Sequence, residues 1–138
     1  MGGDTVREFT VKTSQKEEFI DITSRVQECV AAERVSEGIC CVFVPHTTCG
    51  LLVNEHFDPD VAIDVRLALD RLVPLSGSYL HAEGNSPAHI KASLVGTSHT
   101  FLISDGKMCL GRWQGIFLCE FDGPRERKVW VGVIQRRL

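Results

Sequence analysis

Apolar and polar residues alternate along several short stretches of the chain, as they do in half-buried β-strands. Residues 7–13, REFTVKT, show this alternation clearly. Residues 39–45, ICCVFVP, form a continuous apolar run rich in β-branched side chains, which predicts a strand buried at the centre of a sheet. Extended structure is expected to resume at CGLLVNE and again over residues 97–135, where DG at 105–106 and DGPRE at 122–126 predict turns.

Three other segments have the spacing of amphipathic helices. In the first, Asp21 is expected to be the N-cap of a helix with the apolar residues Ile22, Val26, Cys29 and Val30. The second begins with Asp58 as cap and Pro59, and its apolar stripe consists of Val61, Val65, Ala68, Leu69 and Leu72. The third is SPAHIKASLVG, with Ser86 as N-cap and Pro87 as the first helical residue.

The order of these elements predicts the fold class. One strand, a helix, two strands, two helices and then several strands favour an α+β domain with a mainly antiparallel sheet and the helices on one side. A length of 138 residues is typical of a single domain with its own hydrophobic core, so one domain is expected over 1–138.

Composition narrows the classes of function. The formal net charge is −3 and there is no long basic run, which argues against binding to nucleic acid or to an anionic membrane. No apolar stretch reaches the roughly 18–20 residues that span a bilayer, and the N-terminus lacks the apolar core of a signal peptide, so a cytoplasmic protein is expected. The six cysteines contain no C-x-x-C pair and are expected to be mostly buried free thiols; Cys49, beside HTT, is the one nearest to candidate chemistry.

Three histidines lie at loops or element ends where a cleft can form. His46 ends the predicted buried strand and is followed by the hydroxyls of Thr47 and Thr48. His89 falls at the third position of the third helix, where the positive helix end disfavours an imidazolium, so a neutral ligand or hydrogen-bond donor is expected. By itself such a histidine is more often a capping or packing residue. His56 and His99 are interpreted as surface or packing residues.

His81 completes the set, with Glu83 as a neighbour that can accept a hydrogen bond from an imidazole. Three histidines with an open fourth position are typical of a catalytic zinc site, so a divalent ion, Zn or Mg, is a candidate cofactor. The spacing itself is no zinc signature, because only the fold can bring residues 46, 81 and 89 together. The EGNS turn and Lys91 suggest in addition an anion site at the helix start.

Three blocks of sequence carry a resemblance to a known family. They are PHTTCGLLVNEHFDPDV, YLHAEGNSPAHIKASLVGTS and DGKMCLGRWQGIFLCEFDGPRERKV, and together they resemble the YjbQ-like family, also called the secondary thiamine-phosphate synthase enzyme family. The resemblance implies a compact domain with a curved antiparallel sheet, of half-barrel or sandwich type, with about three helices. It also implies a homotrimer and a promiscuous thiamine phosphate synthase activity, which couples hydroxymethylpyrimidine diphosphate to thiazole phosphate.

The family motif can be carried over residue by residue. It matches His46, Thr47, Thr48, Asn54, Glu55, Asp58, Asp60, His81, Glu83, Gly84, Asn85, His89, Lys91, Gly111, Trp113, Gln114 and Gly115. The expected catalytic residues are His46, His81, His89 and Glu83. The expected substrate-binding residues are Thr47, Thr48, Asn85, Lys91, Arg112, Trp113 and Gln114. Arg112 stands where the family has a threonine, and it adds a planar donor for phosphate.

Three hypotheses of function follow. The first is the transferase, in which Trp113 stacks on a substrate ring and the cationic groups hold its phosphates. The second is a metal-dependent hydrolase that uses the three-histidine site. The third is a non-catalytic trimer that binds a metabolite. The expected partner is a small phosphorylated substrate or ligand, although the hydrolase could act on a small phosphate or an amide.

Overall fold

The computed structural model describes residues 6–137, which form eight strands and three helices. The strands are β1 Val6–Lys12, β2 Glu18–Asp21, β3 Gly38–Phe43, β4 Cys49–Glu55, β5 Ser98–Ser104, β6 Lys107–Met108, β7 Gln114–Glu120 and β8 Glu126–Gln135. The helices are α1 Thr23–Ala32, α2 Pro59–Leu72 and α3 Ser86–Val95. None of these helices is long and apolar enough to cross a membrane.

The strands form two antiparallel sheets that curl into a half-barrel. The larger sheet has the order β1-β8-β3-β5-β6 and the smaller has the order β2-β7-β4. This confirms the predicted α+β class, the curved antiparallel sheet and the three helices. The four-residue strand β2 was not predicted, because EFID is too short to show a clear alternation. The predicted hairpin at Asp105 and Gly106 joins β5 to β6, and both residues have positive φ.

The hydrophobic core has two parts, one on each face of the smaller sheet. The main part lies between the two sheets and includes Val26 and Val30 of α1. In the second part, Ala88 and Ala92 of α3 pack against three side chains. Phe117 and Cys119 belong to β7, and Phe121 follows this strand directly. Since β7 is covered on both faces, its residues 115–120 are all buried. The prediction that the helices share one side is therefore wrong for α1.

The outer face of the larger sheet is exposed and apolar. β3 lies between β8 and β5, as predicted, but only its inward residues such as Cys40 and Val42 are fully buried. The prediction of a fully buried strand was therefore wrong, because one face of β3 meets solvent. We call this exposed surface the outer sheet face; its apolar residues are Val6, Ile39, Phe43, Leu102, Trp130 and Ile134.

Two of the predicted helices differ in detail from their sequence pattern. The N-cap of α1 is Ile22, whereas Asp21 lies one residue earlier. α2 starts as predicted, with the Asp58 carboxylate accepting a hydrogen bond from the Asp60 amide at 2.9 Å. Its predicted stripe is not a core, since no residue of α2 is buried and Leu72 is 74% exposed. The helix lies against the smaller sheet with only a few side chains, among them Ala62 and Leu69.

The cysteines are free thiols in the described part of the chain. Cys40, Cys49 and Cys119 are buried, whereas Cys41 and Cys109 are exposed. Burial raises the pKa of Cys49 to about 12, so its thiol stays protonated at neutral pH. Cys49 therefore contributes to the core and is unsuited to act as a nucleophile.

Candidate functional site

The three candidate histidines line one open cleft of about 390 Å³, which we call the histidine cleft. Five further residues of the cleft were predicted site residues or are adjacent to one in sequence. Two arginines that had no predicted role also line the cleft. The lining residues are Pro45, His46, Thr47, Thr48, His81, Glu83, Asn85, His89, Arg125 and Arg127. Residues distant in sequence thus meet at one end of the half-barrel.

Three connections between elements deliver these side chains. The bend between β3 and β4 carries His46 to Thr48, and the start of α3 carries Asn85 and His89. The turn from β7 to β8 carries Arg125, and Arg127 lies just beyond this turn in β8. The cleft therefore lies where the two sheets meet beside a helix start, and the positive end of the α3 dipole favours an anion there.

Arg127 forms the charged floor of the cleft. Its guanidinium makes an ion pair with Glu120, with Nε donating to Oε1 at 2.8 Å, and both side chains are buried. Nη2 also donates to the hydroxyl of Thr48 at 2.7 Å. Although burial opposes the charge, the hydrogen bonds to Glu120 raise the pKa of Arg127. Nη1 makes no hydrogen bond to any residue of 6–137, so it remains available to a ligand.

Glu120 is held by further donors that orient the pair. The Thr13 hydroxyl donates to Glu120 Oε1 at 2.8 Å, and the Asp122 amide donates to Oε2 at 3.0 Å. Thr48, predicted as a substrate-binding residue, is buried, and its hydroxyl oxygen accepts a hydrogen bond from Arg127. Its place in the structure is therefore to position the arginine, whereas Thr47 beside it is exposed to the cleft.

His46 is held as a neutral hydrogen-bond donor. Its Nε2 accepts a hydrogen bond from the backbone amide of Lys128 at 2.8 Å. Burial lowers the pKa of His46, and the nearby charge of Arg127 lowers it further. Because the Nε2 lone pair is occupied, the proton of the neutral ring resides on Nδ1, which becomes a donor.

His81 and His89 are neighbours in the lining of the cleft. Their ring centroids lie 5.2 Å apart in an edge-to-face arrangement. Glu83 is 72% exposed at its side chain and its Oε1 lies 3.9 Å from His81 Nε2, so it influences that ring only weakly. His89 is the fourth residue of α3 and not the third, because Asn85, and not Ser86, is the N-cap.

The residues of the cleft do not fit a three-histidine metal site. No group of three or more His, Cys, Asp or Glu side chains within residues 6–137 is placed to hold a metal ion. His46 in particular has one nitrogen engaged by a backbone amide and the proton on the other, which leaves no lone pair for a metal. The Zn or Mg ion stays a prediction, and the chemistry argued below does not depend on it.

Asn85 carries an unfilled acceptor at the edge of the cleft. Its Nδ2 donates to Asp122 Oδ2 at 2.9 Å, whereas its buried Oδ1 has no hydrogen-bond partner among residues 6–137. The carboxylate of Asp122 requires a donor, so the amide orientation is fixed. A buried acceptor without a partner is rare, and a hydroxyl or amino group of a ligand would satisfy it.

Lys91 lies on the opposite side of α3 from the cleft, although it was predicted to bind substrate. Its side chain is 1% exposed and its ammonium is paired with Glu17 and Asp70. Although burial opposes the charge, these two carboxylates raise the pKa of Lys91. The residue thus fastens α3 to α2 and to the β1–β2 connection, which supports the position of Asn85 and His89.

Arg112, Trp113 and Gln114 lie at the other end of the smaller sheet. Gln114 begins β7 opposite Glu55, and the strand runs seven residues to Glu120, a span of roughly 20 Å. The indole of Trp113 contacts Phe57 at a centroid distance of 5.3 Å and lies under the guanidinium of Arg112. Gln114 Oε1 accepts a hydrogen bond from the Gly111 amide. Within one chain, these three residues do not join the histidine cleft.

The two arginines of the cleft had no predicted role. DGPRE was interpreted only as a turn, and this interpretation gave Arg125 no functional role. Arg127 had a detectable signal, since it shares the inward face of β8 with Val129 and Val131 and therefore needs a buried partner. His99, interpreted as a packing residue, makes a 2.9 Å hydrogen bond from Nε2 to the carbonyl of Leu51.

Comparisons with known proteins identify the family. The profile of the family described as "UPF0047 protein YjbQ-like" matches residues 7–136. The chain belongs to the UPF0047 family. It is 48% identical to UPF0047 protein MJ1081 of Methanocaldococcus jannaschii, over 91% of each chain. It is 39% identical to UPF0047 protein YugU of Bacillus subtilis, over 91% of this chain and 96% of that protein.

Solved structures of the UPF0047 family have the same fold. An uncharacterized conserved protein of the YjbQ/UPF0047 family from Clostridium acetobutylicum superimposes with a TM-score of 0.91 at 52% identity, covering 93% of this chain and 99% of that one. A YbjQ-like protein of unknown function from Sulfolobus solfataricus gives a TM-score of 0.91 at 33% identity, with 95% and 96% coverage. These relatives establish family and fold, and their descriptions name no activity.

The position of Lys91 generates a prediction about stability. Lys91→Met removes the charge between Glu17 and Asp70 and leaves two carboxylates close together, so unfolding free energy should fall by about 3–5 kcal/mol. Urea denaturation would measure this loss. Lys128→Met, at a site whose side chain is 55% exposed, is the control and should change stability little. Full stability of Lys91→Met would contradict the fastening role.

The hydrogen bond to His46 generates a prediction about protonation. Nitrogen-15 NMR at pH 7 should show the Nδ1–H tautomer, and the pKa of His46 should lie below the usual range of a histidine. Because the folded pKa is lowered, the neutral ring stabilises the fold above about pH 6.5, and that contribution is lost as pH falls toward the folded pKa. In His46→Phe this part of the pH dependence should disappear. An Nε2–H tautomer would contradict the assignment.

Proposed function

We propose that the protein is a transferase that binds a small phosphorylated substrate in the histidine cleft. In the reaction proposed, hydroxymethylpyrimidine diphosphate is coupled to thiazole phosphate, as in thiamine phosphate synthases. The observation that carries the proposal is the buried Arg127, whose Nη1 is left without a partner among residues 6–137 at the floor of an open cleft. A desolvated guanidinium with free donors is well suited to a phosphate group.

Directed donors, and not net charge, would provide the affinity for phosphate. Arg127 is balanced by Glu120, and Arg125 donates to Asp122 through Nε at 2.7 Å and Nη2 at 2.9 Å. The cleft therefore has little excess positive charge. Arginine N–H groups, the Nδ1–H of His46 and the start of α3 would supply the hydrogen bonds that an anion needs.

The coupling needs little covalent chemistry from the protein. The thiazole nitrogen forms a bond to the pyrimidine methylene carbon, and the carbon–oxygen bond to the diphosphate breaks, so that pyrophosphate leaves with the electron pair. The donors of the cleft would stabilise the negative charge that grows on the leaving group. Asn85 Oδ1 would accept a hydrogen bond from an amino or hydroxyl group of the substrate, which a phosphate alone cannot supply.

The metal-dependent hydrolase has less support than the transferase. It requires three histidine ligands, and the engagement of His46 Nε2 by the Lys128 amide leaves that set incomplete. A non-catalytic binding protein would use the same anion-binding groups, so turnover is the property that separates it from the transferase.

We propose further that the protein is a homotrimer that buries the outer sheet face. Six large apolar side chains lie on this face at 36–66% exposure, a patch that monomers rarely leave uncovered. The face reaches the cleft, because Lys128, whose amide binds His46, is followed two residues later by the outward-facing Trp130. A neighbouring copy on this face would stand at the rim of the cleft and supply a wall that one chain lacks.

The transferase predicts that Arg125 and His46 are required for turnover. With hydroxymethylpyrimidine diphosphate and thiazole phosphate, the wild type should release pyrophosphate and form thiamine phosphate in equal amounts. Arg125→Ala and His46→Phe should each lower kcat/KM by roughly tenfold or more, because each removes a donor to the leaving group. Chromatographic quantitation of thiamine phosphate is the measurement.

Arg136→Ala provides the matched control for the transferase experiment. Arg136 is an exposed arginine outside the histidine cleft, so its removal should leave kcat/KM unchanged. If the wild type binds pyrophosphate but forms no product, the cleft belongs to a binding protein. If pyrophosphate does not bind either, the phosphate site itself is wrong.

The trimer predicts that charge on the outer sheet face dissociates the assembly. Leu102→Lys places an ammonium at a position that is 66% exposed in the single chain, and burial of that charge in an interface is costly. Analytical ultracentrifugation should change from trimer to monomer. Leu72→Lys, at a residue of α2 that is 74% exposed and lies on the smaller sheet's side of the fold, should remain trimeric. A wild type that is monomeric at micromolar concentration would refute the assembly.

A further inference from the structure

A second histidine–carboxylate pair lies at the opposite end of the smaller sheet from the histidine cleft. His56 follows β4 and its Nδ1 lies 2.7 Å from Oδ2 of Asp21, which ends β2. The side chain of His56 is 23% exposed, so the pair is partly shielded and still reachable. Neither residue has a part in the proposed transferase.

The surrounding backbone holds the His56 ring in place. A Cβ at Gly115 would lie 2.2 Å from His56 Nδ1, so only glycine lets the imidazole rest on β7. The His56 amide donates to the carbonyl of Trp113 at 3.0 Å. The glycine of the WQG motif, which the histidine cleft does not use, is thus explained by the position of this ring.

The carboxylate of Asp21 is fully engaged and ionised. Its Oδ1 accepts hydrogen bonds from the Thr23 amide at 2.9 Å and from the Thr23 hydroxyl at 2.6 Å. Partial burial opposes ionisation, but these bonds and the one from His56 together lower the pKa of Asp21. With a neutral ring, an ionised Asp21 accepts from Nδ1–H of His56, and the lone pair then lies on Nε2.

Nε2 of His56 makes no hydrogen bond to any residue of 6–137, and the ring borders a groove of about 270 Å³. The walls of this groove are mainly apolar side chains from β2, α2 and β7, namely Phe19, Ala62, Ile63 and Phe117. Arg66 also borders the groove. Its Nη1 lies 3.9 Å from Glu17 and 3.8 Å from Asp70, so two carboxylates already neutralise its charge and no bound anion is needed. The groove therefore combines apolar walls with the oriented Nε2 of His56, beside the carboxylate of Asp21, which already accepts from Thr23 and His56.

We infer that this groove is a second ligand site, which binds a small neutral aromatic molecule through one O–H or N–H donor to His56 Nε2. The apolar walls take the ring, and the imidazole accepts the single hydrogen bond that orients it. Phosphate suits the histidine cleft but not this groove, because the one arginine here is already close to Glu17 and Asp70. The ligand class is therefore a phenol or an arylamine.

Phenol and anisole are matched probes for this site, because methylation removes the donor and keeps the ring. Titration of the wild type, followed by the carbon–proton NMR signal of the His56 ring, should show saturable binding of phenol. Anisole should bind about fivefold or more weakly, the ratio expected for one lost hydrogen bond. Equal affinity of the two probes, or a His56 signal that phenol does not shift, would overturn the proposal, and neither result requires a variant.

Two variants localise the binding. His56→Phe keeps an aromatic ring and removes the acceptor, so it should abolish the difference between phenol and anisole when binding is followed by the NMR signals of the probes themselves. Arg125→Ala alters the histidine cleft alone and should bind phenol as the wild type does. If phenol bound His56→Phe with undiminished preference over anisole, the donor would be recognised elsewhere, and the site at His56 would be refuted. The coupling activity is not involved in any of these measurements.

Discussion

The buried pair of Arg127 and Glu120 ties the two sheets of this fold together at the end where the histidine cleft lies. Glu120 ends a strand of the smaller sheet and Arg127 lies in a strand of the larger one. The threonines that complete the pair, Thr13 and Thr48, follow β1 and precede β4. Four chain segments therefore depend on one ion pair, and the loss of either charge would leave its partner desolvated and unpaired.

Stability alone does not explain such a pair. Burying two charges costs nearly as much as their attraction returns, and an apolar pair of similar volume is often at least as stable. What an apolar pair could not supply is a guanidinium whose remaining N–H groups point out of a rigid frame. The same frame fixes the neighbours of the arginine, since Thr48 precedes β4 and Asp122 orients the amide of Asn85. The energetic cost of the pair is thus consistent with a binding function at the floor of the cleft.

Much of the fold was predictable from the sequence because its signals are local. The caps and turns at Asp58 and Asp105 follow from one or two residues each, and the alternation in REFTVKT reports a single strand. Errors arose where a pattern depends on what covers it. The apolar run of β3 indicated burial on both sides, whereas its outward residues lie on the exposed outer sheet face. The prediction that the apolar stripe of α2 is buried was wrong for a related reason, since the helix contacts the smaller sheet with few side chains.

The candidate site shows the same division between local and long-range information. Sequence motifs indicated which residues carry chemistry, but they could not indicate on which side of an element each would lie. Lys91 and His89 are two residues apart on one helix, so their side chains diverge, and one is buried among acids while the other faces the cleft. Trp113 and His46 are separated by the length of β7, although their motifs had suggested a common site. A strand seven residues long therefore carries two chemically different ends, one rich in arginine and amide donors and one offering a single imidazole acceptor among apolar walls. Because β7 is seven residues long, a small ligand bound at one of these ends does not contact, within one chain, the residues at the other end.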